Sequence, residues 1–256
     1  MLAPDERLVF LHIPKCAGTS LHRILAAQFK PKLICPHRGD TLPSVDAETL
    51  RPYRFFSGHF SKAGVDAVPG PKRVITVLRD PRERVLSLYY FWRSHRPDFI
   101  EKHNLAGPRT ARELSLVEFL KSDRPEVLSN INNHLVRSLL GPLRIGHSLG
   151  YRLSDRDFAV DTALLNLKRF NFVSFAHTLK EDVPLLLSML GLKPVEDVPV
   201  LNRFGEIENT DHREVIEREE HTDEVWDLLN RATYLDRPFY DRALVLRHSL
   251  RCPYPN

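Results

Sequence analysis

Apolar and polar positions along the chain alternate between two kinds of segment. Leu8-Val9-Phe10-Leu11-His12-Ile13 is a short run rich in strand formers and closed by Pro14, which predicts a buried strand. Behind it, Leu21, Ile24, Leu25 and Phe29 recur at helical spacing, and Thr19 or Ser20 is expected to cap that helix. Residues 8–30 therefore read as strand, tight loop, helix. Residues 31–52 carry four prolines and little periodicity, predicting a surface connection to a short strand at Arg54-Phe55-Phe56-Ser57 and a turn at Gly58. A further strand is predicted at Arg73-Val74-Ile75-Thr76-Val77-Leu78. Asp80 then caps a helix with Pro81 in its first position and Val85, Leu88, Tyr89 and Trp92 along one side, ending before Pro97.

From about residue 112 to 170 the spacing is helical, with helices predicted over 114–121, 125–140 and 155–169 and a loop over 141–150. Residues 171–176 return to a strand. Thr178 and Glu181 have the spacing of a capping box that opens a helix to Leu190, closed by Gly191. Two more helices are predicted over 210–232 and 236–248. Strands alternating with helices imply an α/β fold, a P-loop-like and mainly parallel sheet with helices on both faces, in which ligands collect at the carboxyl ends of the strands. No internal repeat or linker divides the 256 residues, so one domain spanning 1–256 is expected.

Composition narrows the function classes. Charged residues make up 27% of the chain and hydrophobic ones 42%, the balance of a globular protein. Thirty-seven Lys and Arg against 33 Asp and Glu give a net charge of +4, a mild preference for anionic ligands. The basic residues are interspersed with acids, as in Asp155-Arg156-Asp157, so nucleic acid is not the expected partner. Three cysteines without a CxxC spacing signal neither a disulfide framework nor a zinc site, and no metal is expected. No apolar run approaches membrane-spanning length, and the first strand starts at once. With Met1 as the native start the expected location is the cytoplasm; a trimmed relative of an anchored enzyme would instead belong to the Golgi lumen.

Two loops carry candidate chemistry. Pro14-Lys15-Cys16-Ala17-Gly18-Thr19-Ser20 joins a strand to a helix, so its backbone N–H groups and the helix N-terminus converge on one point, where an anion such as phosphate is favoured. Gly18 permits close approach, Thr19 and Ser20 offer hydroxyls, and Lys15 a mobile charge. An ordinary turn with a surface lysine is the plain alternative. The nucleotide-hydrolase order GxxxxGK[ST] is not met, because Lys15 precedes Gly18. A cysteine-phosphatase loop fails too, since the position an arginine would need after Cys16 holds His22. The second loop, Arg79-Asp80-Pro81-Arg82-Glu83-Arg84 followed by Ser87, places an arginine at a strand end, which suits a phosphate better than a metal. A surface salt-bridge cluster is the alternative there.

His12-Ile13-Pro14-Lys15-Cys16-Ala17-Gly18-Thr19-Ser20 resembles the 5′-phosphosulfate loop of sulfotransferases that use 3′-phosphoadenosine-5′-phosphosulfate (PAPS), in particular the carbohydrate type that includes heparan sulfate 2-O-sulfotransferases. The run from Arg79 through Arg84 to Ser87 and Tyr89 is similar to the 3′-phosphate motif of the same family. The resemblance implies sulfuryl transfer from PAPS to an acceptor hydroxyl, with PAP as product and an anionic oligosaccharide as a candidate acceptor. It implies that Lys15, Cys16, Ala17, Gly18, Thr19 and Ser20 hold the 5′ end, and that Lys15 stabilises charge on the leaving phosphate. Arg79 and Ser87 would hold the 3′-phosphate, Arg84 giving structural support. Gly58-His59 matches the pair that carries the family's base, while Ser57 and His12 depart from the family pattern. The segment around Asn132, Asn133 and Arg137 resembles one bordering the active site, which makes Arg137 a further contact candidate. Tyr89, Tyr90, Phe91 and Trp92 have the spacing of a packed helix rather than of a sugar platform. The other function classes to separate are a kinase-like phosphotransferase using ATP and magnesium, and a nucleotide-binding protein without turnover.

Overall fold

A computed structural model describes residues 1–140, 153–197 and 212–251. By their contacts they form two compact units, one from Met1–Arg79, Leu135–Leu201 and Pro238–Asn256, the other from Asp80–His134 and Asn202–Arg237. The predicted loop over 141–150 lies outside the described residues. No helix among the described residues is long and apolar enough to cross a membrane.

The first unit is built on four parallel strands, β1 (Arg7–Leu11), β2 (Phe55–Gly58), β3 (Lys72–Leu78) and β4 (Phe172–Phe175), in the order β2-β1-β3-β4. Leu8, Val9, Phe10 and Leu11 are all fully buried, as the unbroken apolar run predicts for a strand covered on both faces. On one face Leu8, Phe10, Phe55, Ile75, Val77 and Phe172 pack against α1 (Gly18–Ala26) through Leu21, Ile24 and Leu25. The same layer takes Val183, Leu186, Leu187 and Leu190 of α11 (Leu179–Leu190). The chain runs from β1 to β2 on one side and then crosses to β3 on the other. The connections leaving β1 toward β2 and β3 toward β4 run in opposite directions, which makes the carboxyl ends of the β1–β3 pair the switch point where open α/β sheets bind ligands.

The connection between α1 and β2 contains the one-turn helix α2 (Ala47–Leu50), capped by Asp46 Oδ1, which accepts from the N–H of Glu48 (2.9 Å) and of Thr49 (3.1 Å). α3 (Lys62–Ala67) links β2 to β3, and α10 (Leu153–Lys168) leads into β4. Gly191, at φ 66°, ends α11, with Leu192 N–H donating to Leu187 O (2.9 Å) and Gly191 N–H to Ser188 O (3.1 Å), a Schellman closure. The capping box predicted at its other end does not form. Thr178 Oγ1 turns to Asp182 Oδ2 (2.8 Å) and the Phe175 carbonyl (3.3 Å), and caps nothing. Asp182 is buried, accepts from Ser174 Oγ (2.7 Å), and pairs with Arg251 of the terminal helix α14 (Arg247–Arg251). A buried carboxylate with a competing hydroxyl one turn away outbids the helix end for Thr178.

The second unit gathers α4 (Pro81–Arg93), α5 (Pro97–His103), α6 (Ala106–Glu113), α7 (Leu116–Lys121), α8 (Pro125–Ile131) and α12 (Asp223–Ala232). Asp80 caps α4 as predicted, its Oδ1 accepting from Arg82 N–H (2.9 Å) and Glu83 N–H (3.2 Å). Val85, Leu88, Tyr89 and Tyr90 are core, packed with Phe119, Val127, Val225 and Leu229. Arg84 is fully buried and donates to the Asn130 carbonyl. The single helix predicted over 125–140 is two, α8 and α9 (His134–Leu140), because Asn133 takes φ 45° and its Oδ1 accepts from Leu235 N–H (2.7 Å). Residues 212–222 are not helical as predicted. Arg213 bridges to His95, and Glu219 accepts from Tyr89 Oη (2.5 Å) and Leu116 N–H (2.8 Å). These distant partners hold the segment extended until Thr222 caps α12. The last elements are α13 (Asp236–Val245) and α14.

Breaking the buried Asp182–Arg251 pair on one side leaves an uncompensated charge. Asp182→Ala is expected to cost about 3–5 kcal/mol, read as a lower urea midpoint at unchanged slope.

Candidate active site

The loop over residues 14–20 is set by its backbone. Lys15 and Ala17 both lie in the left-handed region, at φ 66° and 59°, with Cys16 between them at negative φ. A left-handed residue on either side of one that is not turns successive N–H groups toward a common concave face, the geometry of an anion nest. Neither residue is glycine, so each costs about 1–2 kcal/mol. Tertiary contacts hold the conformation: Cys16 is buried, its N–H donates to Ile13 O (3.3 Å), and Arg79 Nη1 donates to the Lys15 carbonyl (3.3 Å). Ala17 is itself the N-cap of α1, and no side chain caps the helix. The cap predicted at Thr19 or Ser20 is therefore corrected. The left-handed Ala17 delivers the chain into the helix at Gly18, so Thr19, exposed, and Ser20, buried, stand inside the first turn.

Gly18 is required by a close approach. A Cβ on it would overlap the His12 imidazole at Cδ2 and Nε2. His12 is 6% exposed, stacks on Phe10 (5.2 Å, 6°), and leans on the His59 ring (4.4 Å, 50°). The His12 carbonyl accepts from His59 Nδ1 at 2.7 Å. Because a carbonyl only accepts, Nδ1 carries the proton, and neutral His59 keeps its lone pair on Nε2, the atom a general base uses.

Gly58 is equally constrained, since a Cβ there would run into the backbone of Arg38. That backbone is pinned at this point: Arg38 O accepts from His59 N–H (2.7 Å) and Arg38 Nε donates to Ser57 O (3.0 Å). His22, on α1, sets its Nδ1 2.8 Å from Ser57 Oγ and stacks on Phe55 (5.8 Å, 21°). Two imidazoles, His12 and His22, and one arginine thus surround Gly58-His59. His22 and Arg38 escaped the reading of the sequence, since no local spacing links them to His59. His12 was noticed there only as a departure from a pattern.

The electrostatics follow from this grouping. Burial drives the His12 pKa down to about 2, helped by the charges of His59, Arg38, His22 and Lys15. Burial, then Arg38, Arg23 and His59, lower that of His22 to about 4. His59 is also lowered from 6.5, by desolvation against the raising effect of its bond to the His12 carbonyl, then by Arg38 and Lys15, with Asp40 opposing. The residue remains exposed to solvent, which moderates the shift. All three rings are neutral at pH 7, so the positive charge of the site comes from Lys15, Arg38 and Arg79.

Lys15, Cys16, Ala17, Gly18, Thr19, Ser20, His59 and Arg79 are thus gathered at the carboxyl ends of β1, β2 and β3. Ser87 lies in the second unit, buried on α4. Arg137 is exposed on α9. The arrangement offers an anion nest that includes a lysine, a second cation at the next strand end, and a neutral imidazole whose Nε2 lone pair is not used by the Nδ1 bond. Those are the parts that transfer of an anionic group between oxygens needs.

A family model described as the sulfotransferase family matches residues 1–241. No curated protein matches the chain.

Two predictions arise from this geometry. Ala17→Val is expected to destabilise by more than about 1 kcal/mol, since a β-branched residue tolerates the left-handed region least, whereas Ala17→Gly is neutral or stabilising; urea midpoints decide it. The histidine shifts also carry a pH sign. The unfolded chain takes up protons near pH 6.5 that folded His12 and His22 refuse until about 2 and about 4. Stability from these groups is therefore present above 6.5, begins to fall as pH drops through 6.5, and goes on falling to about 4 for His22 and about 2 for His12. His12→Phe and His22→Gln should each remove close to one proton from that slope.

Proposed function

The chain belongs to the sulfotransferase family, and from that premise we propose that it transfers the sulfuryl group of PAPS to a hydroxyl of a carbohydrate acceptor, with residues 15–20, Arg79 and His59 as the working groups. The observation that carries the reading is the bond from Arg79 to the Lys15 carbonyl, which ties the two donor-binding segments together across the β1–β3 switch point. The nest of residues 16–20 and the start of α1 suit the 5′-phosphosulfate, and Arg79 with Ser87 suits the 3′-phosphate. Arg137 is a second-rank contact for donor or acceptor.

In the proposed step the acceptor oxygen forms a bond to sulfur as the bond from sulfur to the phosphate oxygen breaks. PAP departs with the electron pair, and Lys15 Nζ balances the negative charge gathering on that oxygen. The acceptor proton passes to His59 Nε2, the atom left open by the Nδ1 bond to His12 O. None of these roles asks for a metal ion. Positioning and charge complementarity supply the barrier reduction.

The test is transfer of labelled sulfate from PAPS to uronate-containing oligosaccharides. His59→Gln is expected to keep PAP affinity within about threefold and to lose roughly 10²–10⁴ in transfer. Equal transfer by that variant removes His59 from the chemistry, and failure of the wild type to release PAP from PAPS with any hydroxyl acceptor contradicts the proposal as a whole. Because the His59 pKa is lowered from 6.5, the acid-side fall of kcat/KM should have its midpoint below 6.5.

A further inference from the structure

His12 is an imidazole of the group to which the proposed mechanism gives no proton, and it lies in ring contact with His59. It is nine-tenths buried, and its Nδ1 has no hydrogen-bond partner. Leaving a buried nitrogen unpaired is unfavourable, so what the side chain contributes here is the ring's shape rather than its polarity. The ring has a defined place. One face stacks on Phe10, one edge occupies the space that Gly18 leaves by lacking a Cβ, and the His59 ring leans against it at 4.4 Å. Its own backbone is fixed as well, the N–H donating to Gly58 O (3.0 Å) and the carbonyl receiving His59 Nδ1. His12 therefore touches the donor cradle at Gly18 and the base at His59 in a single rigid side chain.

We propose that His12 is a positioning residue for sulfuryl transfer, a wedge that holds the His59 ring at a fixed separation from the Gly18 end of the donor cradle and screens its inner side from water. This inference rests on the reading of His59 as base and of residues 15–20 as donor cradle. A rigid spacer is useful there because the two sides come from different strands, the cradle following β1 and the base ending β2, and transfer tolerates little misplacement between them. It also explains why the position after the cradle's cysteine and alanine is glycine, which only the proximity of His12 demands.

The groups that act on His59 are Lys15 of the cradle, Arg38 and Asp40 of the loop before β2, and the bond to the His12 carbonyl; His59 in turn acts on His22 of α1. A variant at position 12 leaves all of those in place and changes only the packing and hydration of the inner side. The experiment is an NMR titration of the His59 imidazole in wild type, His12→Ala and His12→Phe, each with and without PAP, beside calorimetric PAP affinities. Removal of the ring admits water, so His12→Ala should raise the His59 midpoint toward 6.5 by about half a unit or more. His12→Phe, which keeps a planar ring, should stay near the wild type. PAP affinity should remain within about threefold in both. Should His12→Ala fold poorly, Gly18→Ala displaces the same ring from the other side and is expected to move His59 in the same direction.

An unchanged His59 midpoint in His12→Ala, or equal shifts in the alanine and phenylalanine variants, overturns the wedge. A tenfold or greater loss of PAP affinity in His12→Ala with no change at His59 overturns it also, and makes His12 a support of the cradle alone. Absence of PAP binding by the wild type instead fails the donor reading, while the ligand-free titrations still decide whether His12 governs His59.

Discussion

Pairing of β1 on both sides is the constraint on which the site depends. Leu11 lies opposite Gly58 of β2 and Thr76 of β3, and Thr76 Oγ1 donates to the Leu11 carbonyl at 2.8 Å. That register brings three chain segments to a common edge: the loop of Lys15, His59 one residue beyond β2, and Arg79 one residue beyond β3. A slip of one residue would turn every side chain of β1 to the opposite face, and the continuous burial of Leu8 to Leu11 between two layers opposes any slip.

Two kinds of close approach then finish the site. Gly18 yields space to the His12 ring, and Gly58 yields space to the Arg38 backbone. Each glycine is fixed by what crosses it, and both crossings end at His59. The charge pattern is consistent with this packing. Lys15, Arg38 and Arg79 give this edge of the sheet its positive charge, and burial, with Arg38 at all three rings and Lys15 at His12 and His59, keeps the histidines neutral. One field thus would serve both the proposed donor site and the protonation state of the proposed base, and acidification weakens the fold by charging the same rings.

The sheet was legible because its strands are short apolar runs bounded by Pro14, Gly58 and Asp80, and buried parallel strands need no more than that. The two loops were legible because each is local, a strand end followed at once by a helix start. What the sequence concealed is set by partners far away along the chain. Asn133 divides a helical stretch because its amide oxygen receives Leu235 N–H, and residues before Thr222 stay extended because Glu219 is claimed by Tyr89 and Leu116. At Thr178 the competitor is near in sequence but not readable from a capping pattern: its hydroxyl goes to the buried Asp182 one turn on instead of to the helix end. The surroundings of His59 were hidden in the same way, since His22 lies on α1 and Arg38 in a proline-rich connection whose spacing shows no periodicity.

The donor site is the centre of the account, and calorimetric titration tests it most directly, with PAP and separately with ATP and magnesium, on the wild type and on Arg79→Ala. The account predicts metal-independent binding of PAP that Arg79→Ala weakens by about tenfold or more, the loss of one charge-assisted contact of roughly 1.5–3 kcal/mol. Preference for magnesium ATP, or PAP binding indifferent to Arg79, would contradict it.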